Sequence, residues 1–433
     1  MNADPESLSR KDPTLKKSLL PDNAWYTSPV SILENLCQRC IGRAYYGVIQ
    51  IEGNATRGRA ITFAYDILTG LERHAVEECP LCHGLLGDVY RYCDKIEQDL
   101  RGTEFSTFLV GSIMERSLLE FEGRVFETLS VTGESIKKDF NRELGKMLSE
   151  RLVREVNFDD PDVMITVDLR YDQINYRLRP VYIYGTYMKL ERGIPQTRWI
   201  HKDHSGKSVE ELIGEPAMEA FSGTNFYLHG SGREDVDVRM LGNGREFVIE
   251  IESPRSRNAD LKAIESRINA SSKVEVHDLK FCDHATIERI KSAKNLKTYR
   301  SRISSIDPIN EAKLYDSLRL LTGKIIYQRT PLRVASRRSD LIRQRTVKHS
   351  SLMSVNGREA VIEMTAESGT YIKELISGDS GRTEPSLSEL YGSPLTVLEL
   401  DVIGIQRDQF LDVGPGFSGH LNNRLSSVDR HQR

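Results

Sequence analysis

Four of the six cysteines fall into two Cys-x-x-Cys pairs, Cys37-Gln38-Arg39-Cys40 and Cys79-Pro80-Leu81-Cys82. Two thiolates three positions apart can grip one face of a metal ion, and two such pairs complete a tetrahedral sulfur site. If one ion takes all four, it pins together two points of chain with 38 residues between them. The intervening stretch must then fold as a closed segment. Gly42 and Gly84, two positions after the second cysteine of each pair, allow the tight turn in which backbone N–H groups reach the sulfurs. The other readings are a redox dithiol or four ordinary buried thiols. A thioredoxin-like site uses one pair beside a βαβ pattern, not two, and intracellular disulfides are uncommon. Structural zinc on Cys37, Cys40, Cys79 and Cys82 is the reading that uses all four. A catalytic zinc needs an open position, which four thiolates do not leave. Cys93 and Cys282 read as isolated thiols and His83 as a bystander.

At 433 residues the chain is too long for one ordinary core, so two or three domains are expected. With 39% hydrophobic and 28% charged residues it has ample apolar material for packed cores. No apolar run approaches the length of a membrane span. The first residues, Met1-Asn2-Ala3-Asp4-Pro5, do not resemble a secretory leader. The expectation is a cytoplasmic protein with no membrane partner. A net charge of −3 argues against nonspecific coating of nucleic acid. Any RNA binding must use gathered positive charge. Arg329, Arg333, Arg337, Arg338, Arg343, Arg345 and Lys348 form one such cluster, with Asp340 the lone acid among them. Taken alone, a run like this is more often a solvated face.

Residues 1–24 are polar and read as a flexible tail, and residues 413–433 as a disordered one. Between them the texture changes once. Residues 25–170 carry the cysteine pairs, a helical stretch opening at Asn54, short strands near Phe105–Gly111 and Pro161–Leu169, and an amphipathic helix over Glu134–Arg154. Ile136, Phe140, Leu144 and Met147 form the apolar side of that helix, and Lys137, Lys138, Arg142 and Lys146 a basic one. Residues 171–412 are dominated by alternating, strand-like runs with a few helices. That pattern predicts an α+β architecture with a mainly antiparallel mixed sheet, not a doubly wound parallel fold. No phosphate-binding glycine loop, no Gly-x-Ser-x-Gly and no His-Glu-x-x-His is present.

Within the second region one segment stands out, Gly232-Arg233-Glu234-Asp235-Val236-Asp237-Val238-Arg239-Met240-Leu241-Gly242-Asn243-Gly244. The Gly-Asn-Gly predicts a hairpin turn between strands at 236–241 and 246–251. Asp235 then sits where a loop enters a sheet, with Arg233 and Arg239 nearby to keep a carboxylate ionised. That setting suits a nucleophilic or basic aspartate. Asp237, on the same face of the expected strand, is the rival.

Four stretches together resemble the tRNA pseudouridine synthases of the Pus-ten type. The first runs Arg179-Pro180-Val181-Tyr182-Ile183-Tyr184-Gly185-Thr186-Tyr187-Met188-Lys189 and continues from Gly193-Ile194-Pro195-Gln196 to Trp199. The second is the Gly232–Gly244 segment. The third is Tyr327-Gln328-Arg329-Thr330-Pro331-Leu332-Arg333-Val334, ending in Arg337-Arg338. The fourth is Gly369-Thr370-Tyr371-Ile372-Lys373-Glu374-Leu375-Ile376-Ser377-Gly378-Asp379, with Gly381-Arg382-Thr383 and Pro385-Ser386 after it. The paired knuckles and an α+β module like a THUMP domain extend the likeness over residues 30 to 405.

The resemblance implies a pseudouridine synthase fold behind a zinc-stabilised, THUMP-like tRNA-binding domain. It implies isomerisation of uridine in the tRNA T-arm, positions 54 and 55, with no catalytic cofactor. Asp235 matches the family's essential aspartate. Tyr299, in Lys297-Thr298-Tyr299-Arg300, and Tyr371 match its base-stacking tyrosines. Lys373 matches the basic partner of the aspartate, and Arg233 either tunes the carboxylate or contacts RNA. Ser336 stands where the family often has His. A noncatalytic tRNA-binding protein or RNA chaperone is the alternative. A THUMP-linked methyltransferase or thiolase would need a glycine-rich donor loop that is absent.

Overall fold

The computed structural model describes residues 28–70, 76, 78–198, 206–336 and 338–407. The two expected tails, Trp199 and Arg337 lie outside the described residues. Two compact units meet in sequence between Arg179 and Pro180.

The first unit contains α1 (Pro29–Asn35), α2 (Gln38–Ala44), α3 (Asn54–Thr69), α4 (Val89–Asp99), β1 (Thr107–Ile113), α5 (Arg116–Thr128), α6 (Ile136–Leu152), β2 (Glu155–Val156), β3 (Val163–Asp168) and β4 (Gln173–Leu178). Its sheet runs β2-β1-β3-β4, parallel except for the β3–β4 pair. The expected boundary at 170/171 therefore moves by one strand, because β4 pairs along its whole length with β3. Helix α6 starts where Ser135 accepts the Lys138 N–H, and Ile136, Phe140, Leu144 and Leu148 point every turn into the core. Its basic face needs one correction. Lys137, Lys138 and Lys146 are exposed, but Arg142 turns back to Glu134 and the fully buried Asp139.

The second unit contains β5 (Val181–Lys189), α7 (Val209–Ala220), β6 (Asn225–Gly230), β7 (Arg239–Glu252), α8 (Leu261–Asn269), β8 (Val274–Cys282), α9 (Ala285–Ser292), β9 (Leu296–Ser305), α10 (Glu311–Leu321), β10 (Ile325–Arg329), β11 (Ile342–Asn356), β12 (Glu359–Ala366), α11 (Ile372–Ser377), β13 (Thr383–Glu384), α12 (Leu387–Tyr391) and β14 (Leu395–Gln406). One mixed sheet runs β13-β10-β11-β12-β9-β14-β7-β5-β8, with β6 also on β7. Among the described residues only the β14–β7 pair of this sheet is parallel. One apolar core joins Ile183, Phe247, Ile249 and Ile251 of the sheet to Ile213 of α7, Leu314 and Leu318 of α10 and Leu375 of α11. No helix of the described residues is long and apolar enough to cross a membrane.

Two local expectations fail here. Gly242-Asn243-Gly244 does not turn a hairpin; β7 continues through it as one strand. Met240 pairs with Lys189 and Arg245 with Tyr187, so residues 241–244 bulge out of the ladder. The Asn243 side chain then bonds to Ile405 like a peptide group, donating to its carbonyl at 2.7 Å and accepting from its N–H at 2.9 Å. Gly242 has φ +68°, and a Cβ there would lie 2.0 Å from the Ile403 carbonyl oxygen. The second surprise is β11, a fifteen-residue strand in a region that reads by eye as a charge cluster. Val347 is its only fully buried residue, so apolar alternation is too sparse to announce it.

Gly242→Ala should cost more than about 2 kcal/mol, from the left-handed backbone plus the collision with β14. Gly357→Ala, at φ +61° with nothing within 4 Å, should cost only about 1 kcal/mol. Urea denaturation midpoints of the two variants test the difference.

Candidate active site and metal centre

The loop between β6 and β7 carries Asp235, and nearly every fixed point on that loop is buried. Gly232 has φ +89°, and a Cβ on it would meet the Lys297 and Arg245 side chains at 2.8 and 2.9 Å. Glu234 points inward, forming an ion pair with Arg245 Nε at 2.9 Å in which both side chains are 1% exposed. Tyr187 Oη donates to the same carboxylate, and Gln196 donates to both Tyr187 Oη and the Gly232 carbonyl. The Lys189 ammonium, wholly buried, donates to the carbonyls of Ile194, Asp235 and Val236 at 2.8–3.1 Å. Burial pulls its pKa down. Arg192 holds the Asp237 carbonyl from the other side.

With Glu234 turned in, Asp235 turns out. Its Oδ1 accepts from Arg333 Nη1 at 2.9 Å, and its Oδ2 lies 3.4 Å from Lys373 Nζ. The guanidinium beside it is thus Arg333. Arg233 is exposed, with no ion pair or hydrogen bond among the described residues, and Arg239 is committed to Asp401. Asp237 does not share a strand face with Asp235; both lie in a turn closed by the Val238 N–H on the Asp235 carbonyl. It nevertheless reaches the same cation, taking Lys373 Nζ at 2.7 and 2.8 Å. Burial pushes the Asp237 carboxyl up, but the Lys373 hydrogen bond and charge outweigh it and hold it below the ordinary range.

Lys373 is the second residue of α11, and Tyr371 is its N-cap. The Gln328 side chain clamps Tyr371 from β10, accepting its N–H and donating to its carbonyl, both at 2.9 Å. The Tyr371 ring lies under Arg333, whose guanidinium carbon is 6.0 Å from the centroid, and its hydroxyl accepts from Arg338. Tyr299 sits deeper, on β9 in the core. Among the described residues no hydrogen bond or ion pair joins it to Asp235. Burial raises its phenol to about 12, against the pull of nearby Arg245. Lys297, two residues before it, is the third buried cation under the loop. Desolvation, reinforced by Arg245, lowers its ammonium to about 7. Sequence reasoning missed Glu234, Arg245, Tyr187 and Lys189 as the framework, since nothing in spacing alone pairs residues so far apart. It had Arg333 only as one of a basic cluster. Of that cluster, Arg329 pairs with Asp340 and Lys348 with Glu367.

In the first unit the Sγ atoms of Cys37, Cys40, Cys79 and Cys82 all lie within 4.8 Å of one another. Cys37 and Cys82 are 3.8 Å apart, as two corners of a zinc tetrahedron with 2.3 Å bonds would be (about 3.8 Å). The Cys37 N–H donates to Cys79 Sγ and Arg43 Nη2 to Cys40 Sγ, the hydrogen bonds that tune a metal thiolate. The donor set fits zinc and leaves no vertex for catalysis.

Comparison with known proteins identifies the class as a pseudouridine synthase. Residues 182–406 match the family model described as "Pus10, C-terminal", and residues 92–168 that described as "Pus10 THUMP domain, archaeal". A protein of Thermoplasma acidophilum named tRNA pseudouridine synthase Pus10 is 46% identical over 382 residues, covering 86% of this chain and 97% of that one. Proteins of the same name from Picrophilus torridus and Pyrococcus furiosus are 44% and 37% identical, each over 86% of this chain and over 97% and 95% of their own length. The chain belongs to the Pus10 family. Its second unit has the pseudouridine synthase fold, its first contains a THUMP domain, and the expected α+β class holds.

Glu234→Ala should destabilise the second unit by about 3–5 kcal/mol, because it strands Arg245 in the interior; calorimetry reads this as a lowered melting temperature. Metal analysis of purified protein should return about one zinc per chain, and a value far below that rejects the tetrahedral site.

Proposed function

We propose that this chain isomerises uridine to pseudouridine in the T-arm of tRNA, at positions 54 and 55, with Asp235 as its catalytic carboxylate. The relatives' shared name supports tRNA as the substrate. The observation that carries the assignment of Asp235 is its place. All four resemblance stretches bond to one another around residues 232–237, and Asp235 is the carboxylate they leave facing outward between Arg333 and Lys373.

The reaction breaks C1′–N1, turns the base and forms C1′–C5. The C5 proton leaves and N1 ends protonated, so no redox partner or cofactor is consumed. A carboxylate acting at the ribose or base must be aimed, and the two cations at 2.9 and 3.4 Å fix the direction of Asp235. The base must leave its stack to reach that carboxylate, and an aromatic face is the usual support for a flipped base. Tyr371, beside Arg333, is suited to that contact, and Tyr299, the second tyrosine of the resemblance, lies buried on β9. Arg233, exposed and uncommitted, is suited to phosphate or base. In the first unit Lys137, Lys138 and Lys146 are exposed cations suited to the RNA backbone. Zinc on the four cysteines serves the fold of that unit.

Pseudouridine mapping on unmodified tRNA tests this. Wild type should convert T-arm uridine, and Asp235→Asn should be slower by on the order of 10⁴-fold. Full activity in Asp235→Asn rejects the mechanism. If wild type binds tRNA and forms no pseudouridine, the chain is an RNA-binding protein instead.

A further inference from the structure

Glu374 follows Lys373 on α11 and is buried, with its side chain 6% exposed. Its Oε1 accepts from Arg333 Nε at 2.6 Å, while its Oε2 is buried with no hydrogen-bond partner among the described residues. Burying a carboxylate with one oxygen unpaired works against stability. What the side chain provides in return, among the described residues, is one ion pair, with the guanidinium that contacts Asp235.

The geometry of Arg333 makes the connection specific. Its Nε faces Glu374 and its Nη1 faces Asp235. The guanidinium is planar and rigid, so fixing one nitrogen fixes the direction of the other. The opposite end of the site repeats the arrangement, with Asp237 gripping Lys373 at 2.7 and 2.8 Å while Lys373 stands 3.4 Å from Asp235. Asp235 is therefore the middle of a row of five alternating charges: Glu374, Arg333, Asp235, Lys373, Asp237.

We infer that Glu374 is a positioning residue for this reaction, holding Arg333 in the orientation that donates to Asp235, and that Asp237 holds Lys373 in the same way. This rests on the assignment of Asp235 as the catalytic carboxylate. Each end carboxylate acts through its cation.

Single-turnover pseudouridylation and tRNA binding, measured with the full chain, test the inference. Glu374→Gln should slow the single-turnover rate about ten- to a hundredfold and change tRNA affinity less than about twofold. In an Arg333→Ala background the same substitution should have no further effect beyond about twofold. Arg333→Lys, which cannot span both carboxylates, should reproduce the Glu374→Gln defect, and Glu374→Asp should retain an intermediate rate. Asp237→Asn should be silent in a Lys373→Ala background by the same logic. If Glu374→Gln slows the Arg333→Ala enzyme as much as it slows wild type, Glu374 does not act through Arg333 and the inference is wrong. If Glu374→Gln tightens or loosens tRNA and leaves the rate alone, it is wrong as well. Should Glu374→Gln fail to fold, Arg333→Lys and Glu374→Asp decide the question, and wild-type rates in both overturn it. Asp235→Asn run alongside separates the two claims: full rate there sinks the assignment of Asp235, whereas a dead Asp235→Asn with an unaffected Glu374→Gln sinks only the role of Glu374.

Discussion

The ion pair of Glu234 with Arg245 fixes the rest of the site. Both side chains are almost wholly out of water. A pair of that kind rarely adds net stability compared with apolar residues of the same shape, but breaking it leaves an unpaired charge in the interior. Its value lies in permitting one arrangement. Arg245 also holds the Ser231 carbonyl, and Glu234 takes the Tyr187 hydroxyl. With position 234 turned inward, its neighbour at 235 faces out.

Three lysines near this loop illustrate how environment assigns different duties to one residue type. Lys189 spends its ammonium on three backbone carbonyls and fixes the path of the chain. Lys373 turns its ammonium to the carboxylates of Asp235 and Asp237. Lys297 is buried beside Arg245, and burial together with that guanidinium lowers its proton affinity.

Much of this was legible in the sequence, and the gaps have physical causes. The cysteine spacing announced the four converging sulfurs, because a metal's geometry imposes a fixed local pattern. Asp235 and Lys373 were picked out by motif, and the structure brings them within 3.4 Å. Arg333 as the nearer cation was not legible; it lies 98 positions from Asp235, and nothing local to either residue records the contact. Strand β11 was hidden because its exposed side chains are basic and polar, leaving Val347 as a lone core residue. The Gly-Asn-Gly misled because positive φ serves a bulge as well as a hairpin, and only the approach of β14 distinguishes them. Arg142 looked like surface charge by helical spacing, and the buried Asp139 one turn away claimed it.

The parallel pairing of β14 with β7 has a consequence for how the protein is made. Asp401 binds Arg239, Ile405 binds Asn243, and the Leu400 carbonyl binds Arg192, so the strand beside the Asp235 loop is completed by chain 162 to 208 positions downstream. On the ribosome the first unit can form early, but the loop that presents Asp235 has no completed wall until residues 395–406 have emerged. Synthesis order thus keeps the carboxylate's surroundings unassembled through most of translation.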